Sequence, residues 1–306
     1  MDQPYHIPAL LEQSVGGLNI RPDGTYVDVT FGGGGHSRSI LSQLGPNGRL
    51  VVFDQDPDAY ANRPDDGRLV FVRHNFRYIG HFLRYLGIDK VDGILGDLGV
   101  SSHHFDSPER GFSFRFDGDL DMRMNQVSKI KASDILNQYP TERLAAIFRT
   151  YGEIQQAGRL ADEIIRARSS GPFTTTAELR QLAERLAPKK EQAKFLAQVF
   201  QALRIEVNGE MDVLRELLEQ SLDLLPEGGR LSIISYHSLE DRMVKNFIKS
   251  GNCDQSEAEK DFYGHSHVPF TAVNRKVIVP DDQEVAANPR ARSAKLRIAE
   301  KNVWEG

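Results

Sequence analysis

The sequence predicts an α/β protein, a doubly wound parallel sheet interrupted by an inserted all-helical domain. Three observations carry this reading. Between about Gly24 and Val100, short β-rich runs alternate with helix-like segments; a glycine-rich turn, Gly32-Gly33-Gly34-Gly35, leads from the first run into a helix; and from about residue 106 to 204 the β-rich runs give way to helical spacing of apolar residues. Alternating strands and helices build a parallel sheet covered on both faces. The chain therefore divides into a first part of the sheet domain at 1–105, the insertion at 106–204, and a second part at 205–306.

In chain order, the run ending Tyr26-Val27-Asp28-Val29 reads as the first strand, and Ser37–Leu44 as the helix after the glycine turn. Arg49–Phe53 and Leu69–Val72 read as the next strands, Tyr78–Leu86 as a helix and Val91–Gly96 as a fourth strand. In the insertion, Leu144, Ile147, Phe148 and Tyr151 fall at i, i+3, i+4 and i+7, as do Leu196, Val199, Phe200 and Leu203, so each set lines one helical face. Thr175 with Glu178 has the spacing of a capping box. Strand character resumes at Arg230–Tyr236, after a helix ending near Pro226-Glu227-Gly228-Gly229, and again near Val277–Val279 and Lys295–Ile298.

Three of the strands end in acids. Asp28 precedes the glycine turn, Asp54 follows the second strand, and Asp97 opens Asp97-Leu98-Gly99-Val100-Ser101-Ser102 after the fourth. Ligands of open parallel sheets bind beyond the carboxyl ends of the strands, so the three acids are expected to face one crevice. Backbone amides of the glycine turn can approach a ligand closely there. Asp54 lies twenty residues after Gly34, the spacing at which a dinucleotide-binding protein bonds a ribose hydroxyl. The strict G-x-G-x-x-G pattern fails, however, because Ser37 occupies its third glycine position. S-adenosyl-L-methionine, with a ribose diol, an ammonium and a sulfonium, accounts for all three acids better than a dinucleotide does. The plainer alternative is that each acid caps the helix next after it.

At 306 residues the chain exceeds one typical compact domain, in keeping with a split organisation. No apolar run approaches the roughly 18 residues of a membrane span, and Met1–His6 lacks the basic head and apolar core of a signal peptide, so a cytoplasmic protein is expected. A single cysteine, Cys253, excludes an internal disulfide framework and a cysteine-based metal cluster. His103, His104, His265 and His267 form two short clusters, but adjacent loop histidines are more often solvated than ligating, and no metal is expected. The net charge of −5 argues against nonspecific coating of nucleic acid, although Arg275, Lys276, Arg290, Arg292, Lys295, Arg297 and Lys301 accumulate near the C-terminus. Those residues read equally as a phosphate-binding surface or as a charged, solvated strand edge.

The motifs, in this order, resemble the bacterial RsmH/MraW family over nearly the whole chain. The resemblance rests on His6-Ile7-Pro8, Thr30-Phe31-Gly32 with Gly34-Gly35-His36-Ser37, Asp54-Gln55-Asp56-Pro57 and Asp97–Ser102. It continues through Glu109–Phe114, Leu120-Asp121-Met122-Arg123-Met124, Phe200–Asn208, Ser235–Arg242 and Asn288–Ser293. It departs at Gln13, where an acid is expected, at Gly96, where an aliphatic residue is expected, and across Lys189–Ala197.

The resemblance implies a Rossmann-like class I methyltransferase sheet and an S-adenosyl-L-methionine-dependent enzyme. Its implied reaction is methylation of the N4 amine of a cytosine in the decoding region of 16S rRNA; flipping that base into a pocket calls for an accessible or distorted target, expected within an assembled small ribosomal subunit. Carried over residue by residue, the cofactor contacts fall on Gly34, Gly35, His36, Asp54, Phe76, Asp97 and His104. Phe76 suits the adenine face, although a lone aromatic also suits a core. Direct in-line transfer needs an acceptor that polarises the amine, for which Asp97 or carbonyls of the Asp97–Ser102 loop are the candidates, while Asp121, Arg123, Tyr236, His237 and Ser238 are candidates for shaping the base pocket. Methylation at carbon 5 is disfavoured because it needs a cysteine nucleophile, and Cys253 lies outside every cofactor loop. Two other readings use parts of the same pattern: a noncatalytic RNA-binding assembly factor and a nicotinamide-dependent oxidoreductase.

Overall fold

The computed structural model describes residues 8–99, 107–255, 257–258 and 268–303. The chain forms two compact units, one of Met1–Gly99 with Met211–Gly306 and the other of Val100–Glu210.

The first unit is built on seven strands: β1 (Thr25–Asp28), β2 (Arg49–Phe53), β3 (Leu69–Val72), β4 (Gly93–Asp97), β5 (Arg230–Ser235), β6 (Phe270–Ala272) and β7 (Lys295–Lys301). Their order is β3-β2-β1-β4-β5-β7-β6. The first five are parallel, while β7 runs antiparallel to both β5 and β6. Strand order reverses between β1 and β4, which opens a crevice at their carboxyl ends. Both faces of the sheet are covered, as period-two alternation requires. On one face Val27, Val51, Ile94 and Leu231 join a core with Leu83, Leu217 and Phe247. On the other, Tyr26, Leu50, Val52 and Leu95 pack with Val15, Ile40 and Leu41. The latter two come from helix α2 (Gly35–Leu41), and Val15 from helix α1 (Leu11–Gly17). Helix α3 (Ile79–Tyr85) comes after β3.

The expected strand at Val277–Val279 reduces to one bridge, Ile278 to Leu296. Pro280 cannot donate the next ladder bond. On the other side, Ile298 is already engaged, its N–H by Asn274 Oδ1 at 3.2 Å and its carbonyl by the Val273 N–H at 2.9 Å. The edge strand instead forms at Phe270–Ala272, three residues after Pro269 that are too few to show periodicity.

The second unit contains helices α4 (Ala132–Gln138), α5 (Thr141–Thr150), α6 (Ala157–Arg168), α7 (Thr176–Leu186) and α8 (Gln192–Asn208). Among its described residues there is no strand, only an isolated bridge from Asp119 to Thr175. Leu144, Ile147, Phe148, Leu196, Val199, Phe200 and Leu203 are all buried in its core, with Tyr151 packed against them. The capping box forms, with the Glu178 carboxylate accepting the Thr175 N–H at 2.9 Å. Helix α8 runs beyond Arg204 because Ile205 is buried, and it ends where Gly209 adopts a left-handed φ of 59°. Three of the motifs interlock here. The Met122 N–H donates to Arg110 O at 3.0 Å, Arg110 donates to Arg123 O at 3.0 Å, and Asn208 donates to Met122 O at 2.8 Å.

Helix α9 (Glu210–Leu224) precedes β5, and helices α10 (Ser238–Ser250) and α11 (Asp282–Ala287) complete the chain order. No helix among the described residues is long and apolar enough to cross a membrane.

Candidate active site

The glycine turn is held by its own backbone and by Asp28. After β1, the Phe31 N–H donates to Phe53 O at 3.0 Å and the Gly34 N–H to Phe31 O at 2.7 Å. Gly34 has φ 75°, and a Cβ there would stand 2.7 Å from Phe31 Cζ; at Gly35 a Cβ would meet Pro8 Cγ at 2.2 Å. Both glycines are therefore required by shape, and Gly34 by torsion as well. Asp28 alternates onto the sheet face that carries α2 and is fully buried. Its Oδ2 accepts the Ser37 hydroxyl at 2.6 Å and its Oδ1 the Thr30 N–H at 3.0 Å. Burial pushes its carboxyl above the ordinary range, against the pull of His36 and Ser37. The expectation that three acids face the crevice is thus corrected: Asp28 lies inside the turn and ties its two ends.

Asp54 connects the turn to the end of β2. Its Oδ2 accepts the Gly32 N–H and its Oδ1 the Asp56 N–H, both at 2.8 Å. Arg38 donates to Gly33 O at 2.7 Å and to Asn62 O at 2.8 Å, closing the same loop from α2. Phe76 opens a short 3₁₀ turn after β3, half-buried against the apolar core. Asn75 next to it donates to Gln55 Oε1 at 3.2 Å, so the loops after β2 and β3 are joined.

Asp97 ends β4 with its side chain 16% exposed. Its backbone N–H donates to Thr30 Oγ1 at 2.7 Å, and its Oδ1 accepts the Tyr236 hydroxyl at 2.7 Å. Its Oδ2 lies 3.9 Å from His36 Nδ1. The other ring nitrogen, Nε2, is 3.2 Å from Ala9 O; a carbonyl can only accept, so this nitrogen carries a proton. Burial lifts the Asp97 carboxyl to about 6; His36 and the Tyr236 hydrogen bond pull it down, while Asp28 and Glu240 push it up. Burial, then the Asp97 charge, raises the Tyr236 phenol well above its ordinary value. Glu240 is buried and accepts the Tyr236 N–H at 2.9 Å, and His237 caps α10, so Tyr236 is fixed at its backbone. Gly96 fits a narrow place between strands, where a Cβ would stand 3.1 Å from Val29 Cγ2 and 3.2 Å from Ile233 Cδ1.

The turn, Asp54, Phe76, His36 and Asp97 therefore gather at the carboxyl end of one sheet. His104 lies outside the described residues. Asp121 and Arg123 belong to the second unit, where a bidentate pair at 2.7 Å and Arg123 bonds to Gln126 O and Ser128 O clamp a loop. Sequence reasoning overlooked Thr30, whose hydroxyl sits one residue beyond Val29 and accepts from the strand that carries Asp97. Of the basic C-terminal residues, Arg297 and Lys295 pair with Asp241 at 2.7 and 3.6 Å, and Lys301 is buried over the Phe270 ring. Arg275, Lys276, Arg290 and Arg292 are exposed.

Chemically, this end of the sheet combines a tight glycine turn, a carboxylate at the second strand and a buried carboxylate ionised at neutral pH. Such a set suits a ligand bearing hydroxyls and positive charge. Comparison with known proteins bears on which one. The chain is 58% identical over 297 residues to the ribosomal RNA small subunit methyltransferase H of Bacteroides thetaiotaomicron, covering 97% of each chain. It is 58% identical over 297 residues to the protein of that name from Flavobacterium johnsoniae, covering 97% of this chain and 98% of the other. A third of the same name, from Parabacteroides distasonis, is 56% identical over 301 residues, 98% of each. The model of the MraW methylase family matches residues 3–302, and the chain belongs to that family.

Proposed function

We propose that this chain transfers a methyl group from S-adenosyl-L-methionine to the exocyclic N4 amine of one cytosine in the decoding region of 16S rRNA, within an assembled small subunit. The observation that carries the reading is Asp97: a mostly buried carboxylate, oriented by the Tyr236 hydroxyl, at the crevice beside the glycine turn. The names of the relatives point to ribosomal RNA of the small subunit as the substrate.

The residues present fit the cofactor. Gly34 and Gly35 allow the turn to close tightly against Phe31 and Pro8 at the crevice, and Asp54, fixed by two backbone N–H groups, stands where an acid accepts a ribose diol. Phe76 offers an aromatic face at the next loop, and His36 opens α2 beside Asp97. His104 is assigned with them by the family motif. When bound, the cofactor supplies a methyl on a sulfonium, an excellent leaving group, so the protein has little acid–base work to do.

Its task is alignment and polarisation. Cytosine's amine is a weak nucleophile because its lone pair is delocalised into the ring. Asp97 Oδ2 accepts an amine hydrogen, the lone pair localises on nitrogen as that bond tightens, and once nitrogen has bonded the methyl it sheds that proton to the carboxylate, from which it passes to solvent. Tyr236 holds the other oxygen, so the carboxylate cannot rotate away. Preorganised acceptors of this kind, with in-line positioning, provide most of the acceleration in such sites. The target base must leave its stack to reach a crevice at strand ends, which favours an unpaired or distorted nucleotide. The helical unit is assigned to RNA recognition.

The test is incubation with labelled S-adenosyl-L-methionine and, separately, naked 16S rRNA, 30S particles and 70S ribosomes, with mapping of the modified base. Label on a cytosine N4 in the 30S arm is the expected result; no label on any RNA overturns the proposal.

A further inference from the structure

We infer that the outer face of α3, with the loop before it, is a stacking surface for unpaired bases of the RNA substrate. This rests on the proposed RNA substrate and adds a contact surface to it.

The segment differs in charge from the chain that carries it. The chain has a net charge of −5, yet the 22 residues from Gly67 to Ile88 hold four arginines, two histidines, five phenylalanine or tyrosine rings and no acid. Burial then sorts these side chains. Ile79 and Leu83 turn into the sheet core, with Phe82 packed against it. The exposed positions from 73 to 85 are Arg73, His74, Tyr78, His81, Arg84 and Tyr85, every one basic or aromatic. Tyr78 is 45% exposed and Tyr85 82%, so neither ring serves the core.

Tyr78, His81 and Tyr85 fall at i, i+3 and i+7 and share one helical face. His74 extends it: its ring lies 4.9 Å from that of Tyr78, edge to face, and 5.2 Å from that of Phe82. The Asn75 N–H donates to His74 Nδ1 at 3.0 Å, which fixes the ring. The segment is also anchored to α9. Gln220 accepts the Gly80 N–H at 3.1 Å and donates to Arg77 O at 2.8 Å, while Arg77 pairs with Glu216.

Charge and ring chemistry select the partner. Flat exposed rings accept bases whatever their sequence, and cations beside them attract the phosphates. Asp89 and Asp223 line a cleft with Arg84, so the cationic end of the face is at Arg73 and His74. That end belongs to the loop after β3, at the carboxyl ends of the parallel strands, and Asn75 ties it to the loop after β2. Phe76, the ring proposed for the cofactor, stands between His74 and Tyr78 in the chain. The face therefore starts at the cofactor end of the sheet and continues along α3.

The experiment measures the affinity of the full chain for naked 16S rRNA and for 30S particles by filter binding as salt is varied. Each lost ring is expected to weaken binding about fivefold, so Y85A should show that loss and Y78A/Y85A about 25-fold on both RNAs. Y78F/Y85F should recover the affinity because phenylalanine keeps the stacking face, whereas Y78L/Y85L should not. R73Q should lower the log–log salt slope by about 0.7. Cofactor affinity and the thermal midpoint should stay at wild-type values throughout. Wild-type RNA affinity in the alanine pair overturns the inference. A loss confined to 30S particles also overturns it, because the face would then dock a protein, and so does a leucine pair that binds like wild type, because the contact would then be merely apolar. Since the readout is RNA affinity, it is separable from failure of methyl transfer, which would instead overturn the proposed reaction.

Discussion

The ends of β1 and β4 are neighbours in one sheet, and each closes in an aspartate, yet the two acids do different work. Asp28 is fully buried and both its oxygens are engaged within the turn it anchors, by Ser37 and Thr30. Asp97 is held through side chains, by Tyr236 on one oxygen and with His36 near the other, and it stays partly open. A carboxylate committed to its own turn is scaffold; one oriented by a distant hydroxyl and facing a crevice is available for chemistry. The difference comes from the groups that meet each strand end, because the pleat turns both acids to the face that carries α2: Leu95, the partner of Asp28, lies two residues before Asp97. Asp28 points to the face where α2 brings Ser37 nine residues on, whereas Asp97 meets a tyrosine just past β5.

Asp97→Asn separates the two roles most sharply. Loss of the acceptor should lower kcat by about 10² or more, whereas the fold should become more stable at neutral pH. The sign comes from linkage. The folded-state carboxyl is raised to about 6 from an ordinary 3.8, so the folded state binds the proton more tightly. The stabilisation this gives is complete below about pH 4 and is lost as pH rises through 6. At pH 7.5 the ionised group therefore costs the fold up to about 3 kcal/mol, which asparagine removes. Thermal melts of both proteins from pH 4.5 to 7.5 check this: the midpoint advantage of the variant should appear only as pH rises. A variant less stable than wild type at pH 7.5 would place Asp97 with the scaffold acids.

Asp28→Ala should do the reverse. Removing the carboxylate leaves the buried Ser37 hydroxyl and the Thr30 N–H without their acceptor, at a cost of about 2–4 kcal/mol in stability. The rate per folded, cofactor-saturated molecule should stay within a few-fold of wild type. Chemical denaturation with active-site titration measures both quantities.

Tyr236→Phe probes the link that distinguishes the two strand ends. Its hydrogen bond to Asp97 is charge-assisted, and losing about 1.5 kcal/mol of it corresponds to roughly a tenfold fall in kcat. The same bond holds the Asp97 carboxyl down, so its removal should shift the acid limb of the kcat/KM profile, which reports the unliganded site, to higher pH. A merely structural tyrosine would lower the rate without moving that limb.

Much of this contrast was legible in the sequence, and the illegible part has a physical reason. Strand-and-helix alternation is local, so β1 to β5, β7 and the helical faces of the insertion emerge from periodicity. The acids stood out because each closes a β-rich run. What periodicity does not encode is the partner that waits at the end of a strand, here the Ser37 hydroxyl and the Thr30 N–H, which is why Asp28 read as a crevice residue. Nor does it encode pairing between residues far apart in the chain: Asp97 and Tyr236 are 139 positions apart, and only the β4–β5 register brings them together. Short edges are the third blind spot, since a three-residue strand at Phe270–Ala272 carries no pattern, whereas the better-looking Val277–Val279 run stops at Pro280.

Cys253→Ser should give the smallest effect on turnover. The thiol belongs to the apolar core with Phe247 and Phe270, and burial pushes it to about 12, so almost no thiolate exists at neutral pH. Activation of a cytosine ring for carbon methylation requires that thiolate as an attacking group. Transfer to an exocyclic amine requires no covalent adduct, so the serine variant should retain the wild-type rate once corrected for folded fraction. Placing a hydroxyl in that cluster should cost about 1–2 kcal/mol in stability. Rate and stability therefore separate here as they do at Asp28. If turnover instead collapsed in a folded, cofactor-binding variant, Asp97 would lose its place as the group that activates the base, and the direct in-line route would fall with it.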